Sequence, residues 1–220
     1  MFKIDWDDIE TVLLDMDGTI LDLHYDNFFW TIYLPEYYAN LHSLPIEAAK
    51  EFLKKEILSE VGNLNFYSID FWEKKFNIDI IALKRNLDHL ICFLPHANSL
   101  LQKLRELPVK TALVTNAHRR MLALKQAIIP LNNYLDGVYS SHDFELPKED
   151  PLFWEKLNNE FNFNPKKTLF IDDNEDVLFS AQQYGIKYLV CPLKPDSQRP
   201  FQKIKNPDGY IIISSLQELL

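Results

Sequence analysis

Positive charge is scarce in this chain: 23 Lys and Arg stand against 32 Asp and Glu, a formal net charge of −9, and no block of basic residues breaks the pattern. That balance does not support a phosphate-backbone footprint, so polymeric nucleic acid is not an expected partner. Cysteine is scarcer still. Cys92 and Cys191 each lie in an apolar run, LICFL and YLVCP, which reads as two buried thiols in a reducing compartment rather than a disulfide or a metal site. Five glycines and no low-complexity tract leave no flexible linker between independent domains, and no repeat of fixed period is present. No apolar stretch approaches the ~20 residues a bilayer requires. The opening MFKIDWDDIETVLLDMDG scatters acids where a secretory signal needs an apolar core, so a cytoplasmic chain with no membrane partner is expected.

What the chain has is enough apolar material for a sizeable core, 47% hydrophobic residues in 220. Five short runs, Thr11 to Asp15, Thr111 to Thr115, Gly137 to Ser141, Thr168 to Asp172 and Lys187 to Cys191, are nearly continuous in aliphatic and β-branched residues. Strands of a parallel sheet covered on both faces have that character. Tyr210 to Ile213 reads as an edge strand. Helical stretches lie between them: 97–107 before Pro108, one from Pro151 with Asp150 as N-cap, and 174–184 closing on Gly185. The alternation predicts a doubly wound α/β fold with ligands at the carboxyl ends of the strands. Residues 20–95 break it with four aromatic-rich helical patterns and no strand. They are either an insert forming a lid over the end of the first strand or helices packed on one face of the sheet.

The chemistry concentrates at the strand ends. Asp15-Met16-Asp17-Gly18-Thr19 places two carboxylates at i and i+2 on a tight glycine turn, where they can converge on one cation and one electrophile. Oxygen ligands favour a hard ion, Mg2+ in particular. A carboxylate beside such an ion can attack phosphorus while a second handles the leaving group's proton. Thr115 and Asn116 end the second strand with a hydroxyl and a backbone N–H suited to phosphate. Lys148, in LPKED, can neutralise charge on a phosphoryl group, and Asp172-Asp173 adds carboxylates to the same rim. Each has an ordinary alternative: a solvated turn, a strand-end hydroxyl, a surface lysine, a helix N-cap. Their order at the ends of consecutive strands is what sets them apart.

In these motifs, DMDGT, VTN, the lysine of LPKED and IDDNED, the chain resembles the haloacid-dehalogenase-like (HAD) phosphohydrolase superfamily over essentially its whole length. The resemblance implies a Rossmann-like core of residues 1–19 and 96–220, with a parallel sheet in the order 5-4-1-2-3, and a helical cap of the C1 type over 20–95. It implies Asp15 as nucleophile and Asp17 as general acid/base with a main-chain contact to the metal. Asp15 and Asp173 would bind Mg2+ through carboxylates, and Thr115 and Lys148 would hold phosphate.

The fourth motif departs from the family's usual form. Asp172 stands where many members have glycine, and Val177 stands four residues after Asp173 where they have an acid. Either Asp172 supplies the missing oxygen, or the register shifts and Asp176 does. Asp17 argues against a dehalogenase, a branch that lacks the second acid. The strings LDMDGTILDLHYDNFFW, LPEYY, YSIDFWEKKFNIDI, LVTNAH and FIDDNED are similar to those of bacterial GMP/IMP nucleotidases, implying a small phosphorylated metabolite, a purine nucleotide, as partner. That makes Phe28, Phe29, Trp30, Tyr67 and Trp72 base-stacking candidates, although aromatics at helical spacing are more often core. His118 and Arg119, just after the second motif, are better placed near substrate. A sugar phosphatase or phosphomutase built on the same parts is one rival, and a binding module without turnover is another.

Overall fold

The computed structural model describes residues 4–206 and 208–220. Its centre is a six-stranded, all-parallel sheet of β1 (Thr11–Leu14), β2 (Lys110–Thr115), β3 (Gly137–Ser140), β4 (Thr168–Ile171), β5 (Tyr188–Pro192) and β6 (Ile211–Ile213). The order is β3-β2-β1-β4-β5-β6. The expected 5-4-1-2-3 order is present, and the anticipated edge strand extends it by pairing with β5.

Near-continuous apolarity in these strands has a direct cause, because alternate side chains face opposite layers and both layers are covered. Val12 and Leu14 of β1 join one buried cluster, together with helices α6 (Ala97–Glu106) and α7 (Arg119–Ile128). Leu13, between them, joins the other cluster with Ala112, Val114 and Phe170. There it meets Phe153, Trp154 and Leu157 of α8 (Pro151–Phe161) and Val177, Leu178 and Ala181 of α9 (Glu175–Tyr184). The helix ends follow their sequence signals. Asp150 caps α8 by accepting from the Leu152 amide, and α9 stops where Gly185 takes φ +106°.

Residues between β1 and α6 are helical, as expected: α1 (His24–Phe28), α2 (Leu34–His42), α3 (Ile46–Leu58), α4 (Ile69–Phe76) and α5 (Ile80–Arg85). α1 and α2 form one helical run joined through a π-helical turn, Phe29–Tyr33. Pro35 explains that turn, since its ring and missing N–H are incompatible with the regular ladder just before it. The fourth pattern, read through the run IIALKRNLDHLICFL, ends early. α5 stops at Arg85, and Phe93 instead forms an antiparallel bridge to Leu21. With Asp22 N donating to Cys92 O and Leu94 N to Ile20 O, the outgoing and returning connections of the insert lie paired side by side.

This pairing corrects the reading of Cys92. Its backbone is fixed to Asp22, but its side chain is exposed, and only Cys191 is buried; both thiols are free. No helix of the described residues is long and apolar enough to cross a membrane.

Leu13 is completely buried at the sheet centre between two helices. Leu13→Ala should lower unfolding free energy by roughly 2–5 kcal/mol, as cavity-forming core truncations do, measured by urea denaturation.

Candidate active site

The parallel arrangement brings the ends of β1, β2 and β4 to one edge, and the backbone ladder continues one step further as Asp15 N donates to Ile171 O at 2.9 Å. Asp15 and Asp172, far apart in sequence, therefore leave the sheet as neighbours. Between them lies Lys148, brought in by the loop before α8 and 2% exposed. Its Nζ donates to Asp15 Oδ1 at 2.5 Å, Asp172 Oδ2 at 2.7 Å and the Val114 carbonyl at 3.0 Å. Burial works against the ammonium, but the two carboxylates outweigh it and hold the lysine above its ordinary pKa.

The same burial raises the acids. It pushes Asp15 up to about 6, with Lys148 pulling down and Asp172 pushing further up. Asp173 is raised well above the usual carboxylate range by burial, then by Asp172 and Asp15. One oxygen from each of Asp15, Asp172 and Asp173 lies within 4.8 Å of the others. An all-oxygen set of this kind fits a hard divalent cation.

Gly18 is built into that set. It sits at φ +88°, and a Cβ there would lie 2.7 Å from the Asp173 carboxylate. The glycine permits both the left-handed turn and the approach of Asp173.

The remaining expected residues are brought to this edge with three differences, at Asn116, Asp17 and Arg119. Thr115 is buried beside the cavity, its hydroxyl accepting from Ala117 N. Asn116 also lines the cavity, but its side chain is engaged in holding the Lys148 loop: Oδ1 accepts from Lys148 N and Nδ2 donates to Glu149 Oε2. Asp17 does not join the three-carboxylate group. Its Oδ1 accepts from Lys125 Nζ at 2.5 Å, and burial, offset by Lys125, raises it to about 6. Asp176 is exposed at the start of α9 and outside the acidic group, whereas Asp172 is inside it. Arg119 turns away to Asp143, while His118 lines the cavity.

The cavity, about 390 Å3, is roofed by the inserted helices. Trp30, Tyr67 and Trp72 contribute to its lining, although Trp72 is 1% exposed and belongs with Phe29 to the buried apolar cluster, against which Trp30 and Phe28 pack. Tyr67 Oη donates to Glu149 Oε1 at 2.5 Å, and Arg120 of α7 pairs with Asp70 and Glu73 of α4, so the insert is seated on the sheet edge by polar contacts. Sequence reasoning missed Lys84, Lys125 and Asp26, which also line the cavity. The signal lay in helical spacing: Lys125 follows Met121, Leu122 and Leu124 on the buried face of α7, where a solvated lysine has no place.

A sequence model of the haloacid dehalogenase-like hydrolases matches residues 12–191. The chain is 35% identical to the GMP/IMP nucleotidase YrfG of Escherichia coli (strain K12) over 94% of its own length and 95% of that protein's. Among solved structures, it is similar to a HAD phosphatase from Thermococcus onnurineus with a TM-score of 0.80, at 22% identity and 96% coverage of both chains. A putative beta-phosphoglucomutase from Thermotoga maritima shares the fold with a TM-score of 0.70, at 19% identity over 96% of this chain and 97% of that one.

Gly18→Ala should displace Asp173 and strain the turn. We expect Mg2+ affinity, read by titration calorimetry, to fall at least roughly tenfold, while global stability drops by only about 1–2 kcal/mol.

Proposed function

The chain belongs to the haloacid dehalogenase-like hydrolase family and is a phosphatase, and on that premise we propose that it hydrolyses purine 5′-mononucleotides such as GMP and IMP with Mg2+ and an aspartyl-phosphate intermediate. The observation that carries the chemistry is the placement of Asp15: a buried carboxylate on Lys148, lining a cavity, within reach of two further acids. The nucleotide class rests on the resemblance to the GMP/IMP nucleotidase. The partly exposed aromatic rings of Trp30 and Tyr67 in the cavity lining support it as a surface on which a base can lie.

In this reading residues 20–95 are a cap on a core of 1–19 and 96–220. Asp15 attacks phosphorus in line; a P–O bond forms to its carboxylate as the ester P–O bond breaks, and Asp17 gives a proton to the departing alkoxide. Asp17 then takes a proton from the water that attacks the acyl phosphate, and orthophosphate leaves. Lys148 and the Thr115 hydroxyl hold the phosphoryl oxygens, with the main-chain amide of Asn116 beside them. Asp15, Asp172 and Asp173 would hold Mg2+, with the Asp17 main-chain carbonyl as a further ligand. The ion supplies positive charge that screens the nucleophile from the incoming phosphate and stabilises the transferring group. Two free thiols and an acidic chain support a cytoplasmic setting.

Phosphate release should be measured across 5′-nucleoside monophosphates, sugar phosphates and an aryl phosphate. GMP and IMP should lead, EDTA should silence them and Mg2+ should restore them. Preferred turnover of a sugar phosphate would overturn the substrate, and turnover persisting in EDTA would overturn the metal. Asp15→Asn should remove at least ~1,000-fold of kcat while the protein still melts cooperatively, since the isosteric amide cannot act as the nucleophile. Retention within tenfold would show that Asp15 is not the attacking group. The stabilising shift in Tm that Mg2+ produces in the wild type should be lost in Asp173→Asn.

A further inference from the structure

The phosphatase chemistry above needs Asp17 aimed at the ester oxygen, and nothing in the acidic group near Lys148 holds the Asp17 side chain. What holds it comes from elsewhere. Lys125 of α7, 2% exposed, donates from Nζ to Asp17 Oδ1 at 2.5 Å and to Asp26 Oδ2 at 2.6 Å. Asp26, on α1 of the insert, accepts at its other oxygen from Lys84 Nζ of α5 at 2.7 Å. Lys84 is itself wholly buried, with its ammonium 4.5 Å from the ring centre of Tyr25 and 4.4 Å from that of Phe29. The result is a chain of alternating charge, Asp17–Lys125–Asp26–Lys84, with both lysines buried and both aspartates half-buried, running from the Asp17 loop into the insert.

We propose that Lys125, braced by Asp26 and Lys84, is a positioning residue that fixes the carboxylate of Asp17 for proton transfer to the leaving group. A carboxylate on a loop can rotate about two side-chain torsions. Binding Oδ1 to a buried ammonium that is locked by a second carboxylate removes that freedom, and leaves Oδ2 as the oxygen that exchanges a proton with the ester oxygen. The backbone of the loop is already fixed, with Gly18 N donating to Leu21 O at 2.8 Å, so the side chain is the remaining variable. A lysine serving only to fill the core would be replaced at such a site by an aliphatic residue, because burying an ammonium costs more than burying methylenes. Two lysines around one shared aspartate are explained by an aspartate beyond them that has to be held.

The inference rests on Asp17 acting as general acid, and leaving-group dependence tests it. An alkyl phosphate requires protonation of its departing oxygen, whereas 4-nitrophenyl phosphate departs as a stable anion and gains little from an acid. kcat/KM reports the step that breaks the ester bond, so it should be measured for both esters, using the alkyl phosphate that the wild type turns over fastest. Lys125→Met keeps the buried volume and should lower kcat/KM for the alkyl ester by ~100-fold, but by less than ~5-fold for the aryl ester, with Lys125→Arg recovering part of the alkyl loss. Asp26→Asn, which leaves Lys125 in place but unbraced, should show the same bias at smaller amplitude, and it decides the matter should Lys125→Met fail to melt cooperatively. Equal losses on the two esters, or none, would overturn the role of Lys125 while leaving the phosphatase reading intact. Turnover of neither ester by the wild type would instead overturn the phosphatase reading, and this role with it.

Discussion

One ammonium group, Lys148 Nζ, sits where three chain segments must meet. It bonds Asp15 at the end of β1, Asp172 at the end of β4 and the Val114 carbonyl of β2, so it pins the three central strands at their carboxyl edge. The arrangement is self-consistent only when complete. A buried lysine without its acids is expelled or deprotonated, and the acids without the lysine repel one another at close range. The loop that delivers it is secured in turn, by Asn116 through the Lys148 amide and by the Trp154 indole N–H through the Lys148 carbonyl. Packing on both faces of the sheet thus converges on a polar group that contributes little to the apolar core but decides where the core places its chemistry.

Charge accounting separates the two buried networks of this edge. Around Lys148 stand three carboxylates, Asp15, Asp172 and Asp173, against one ammonium, a deficit of two positive charges when all are ionised. Around Asp26 stand two carboxylates, Asp17 and Asp26, against two ammonium groups, Lys84 and Lys125. The second network is neutral by itself and the first is not. A divalent cation therefore answers a need at Asp15, Asp172 and Asp173 and answers none at Asp17. Asp173 is raised above the usual carboxylate range by burial first, and the neighbouring Asp172 and Asp15 charges add to the effect. Asp172, the acid that adds to the deficit, also anchors Lys148.

Much of this was legible in the sequence because it is local. A strand end followed by Asp-x-Asp-Gly, a proline-started helix with an aspartate cap and a helix closing on glycine are each specified within a few residues, and the structure places them as read. Where expectation failed, a distant partner decided. LICFL looked like core, but Cys92 pairs its backbone with Asp22, and that pairing turns the thiol outward. Asp172 and Asp176 were equal candidates in the string IDDNED until the sheet register set one beside Lys148 and left the other exposed. Lys84 and Lys125 were overlooked because lysine is ordinarily solvated, although each occupies a buried position of an otherwise apolar helix face. The aromatic run NFFW was ambiguous in a different way: Phe29 is core, Trp30 is roof, and one residue of helical rotation separates them.

The insert and the catalytic loop are mechanically one piece. Asp17 forms a bridge with Leu21, Leu21 bridges Phe93, and Asp22 N bonds Cys92 O, so the outgoing and returning connections of the insert are stitched to each other within a few residues of the catalytic carboxylates. The insert reaches Asp17 through this stitch and, by way of Asp26, through Lys125, and it touches the Lys148 loop through Tyr67 and Glu149. In the proposed reaction, bond formation at phosphorus is common to every ester and falls to groups at the strand ends, whereas the Asp17 carboxylate, proposed to serve the leaving group, is held by Lys125 of α7, which the insert braces through Asp26 and Lys84.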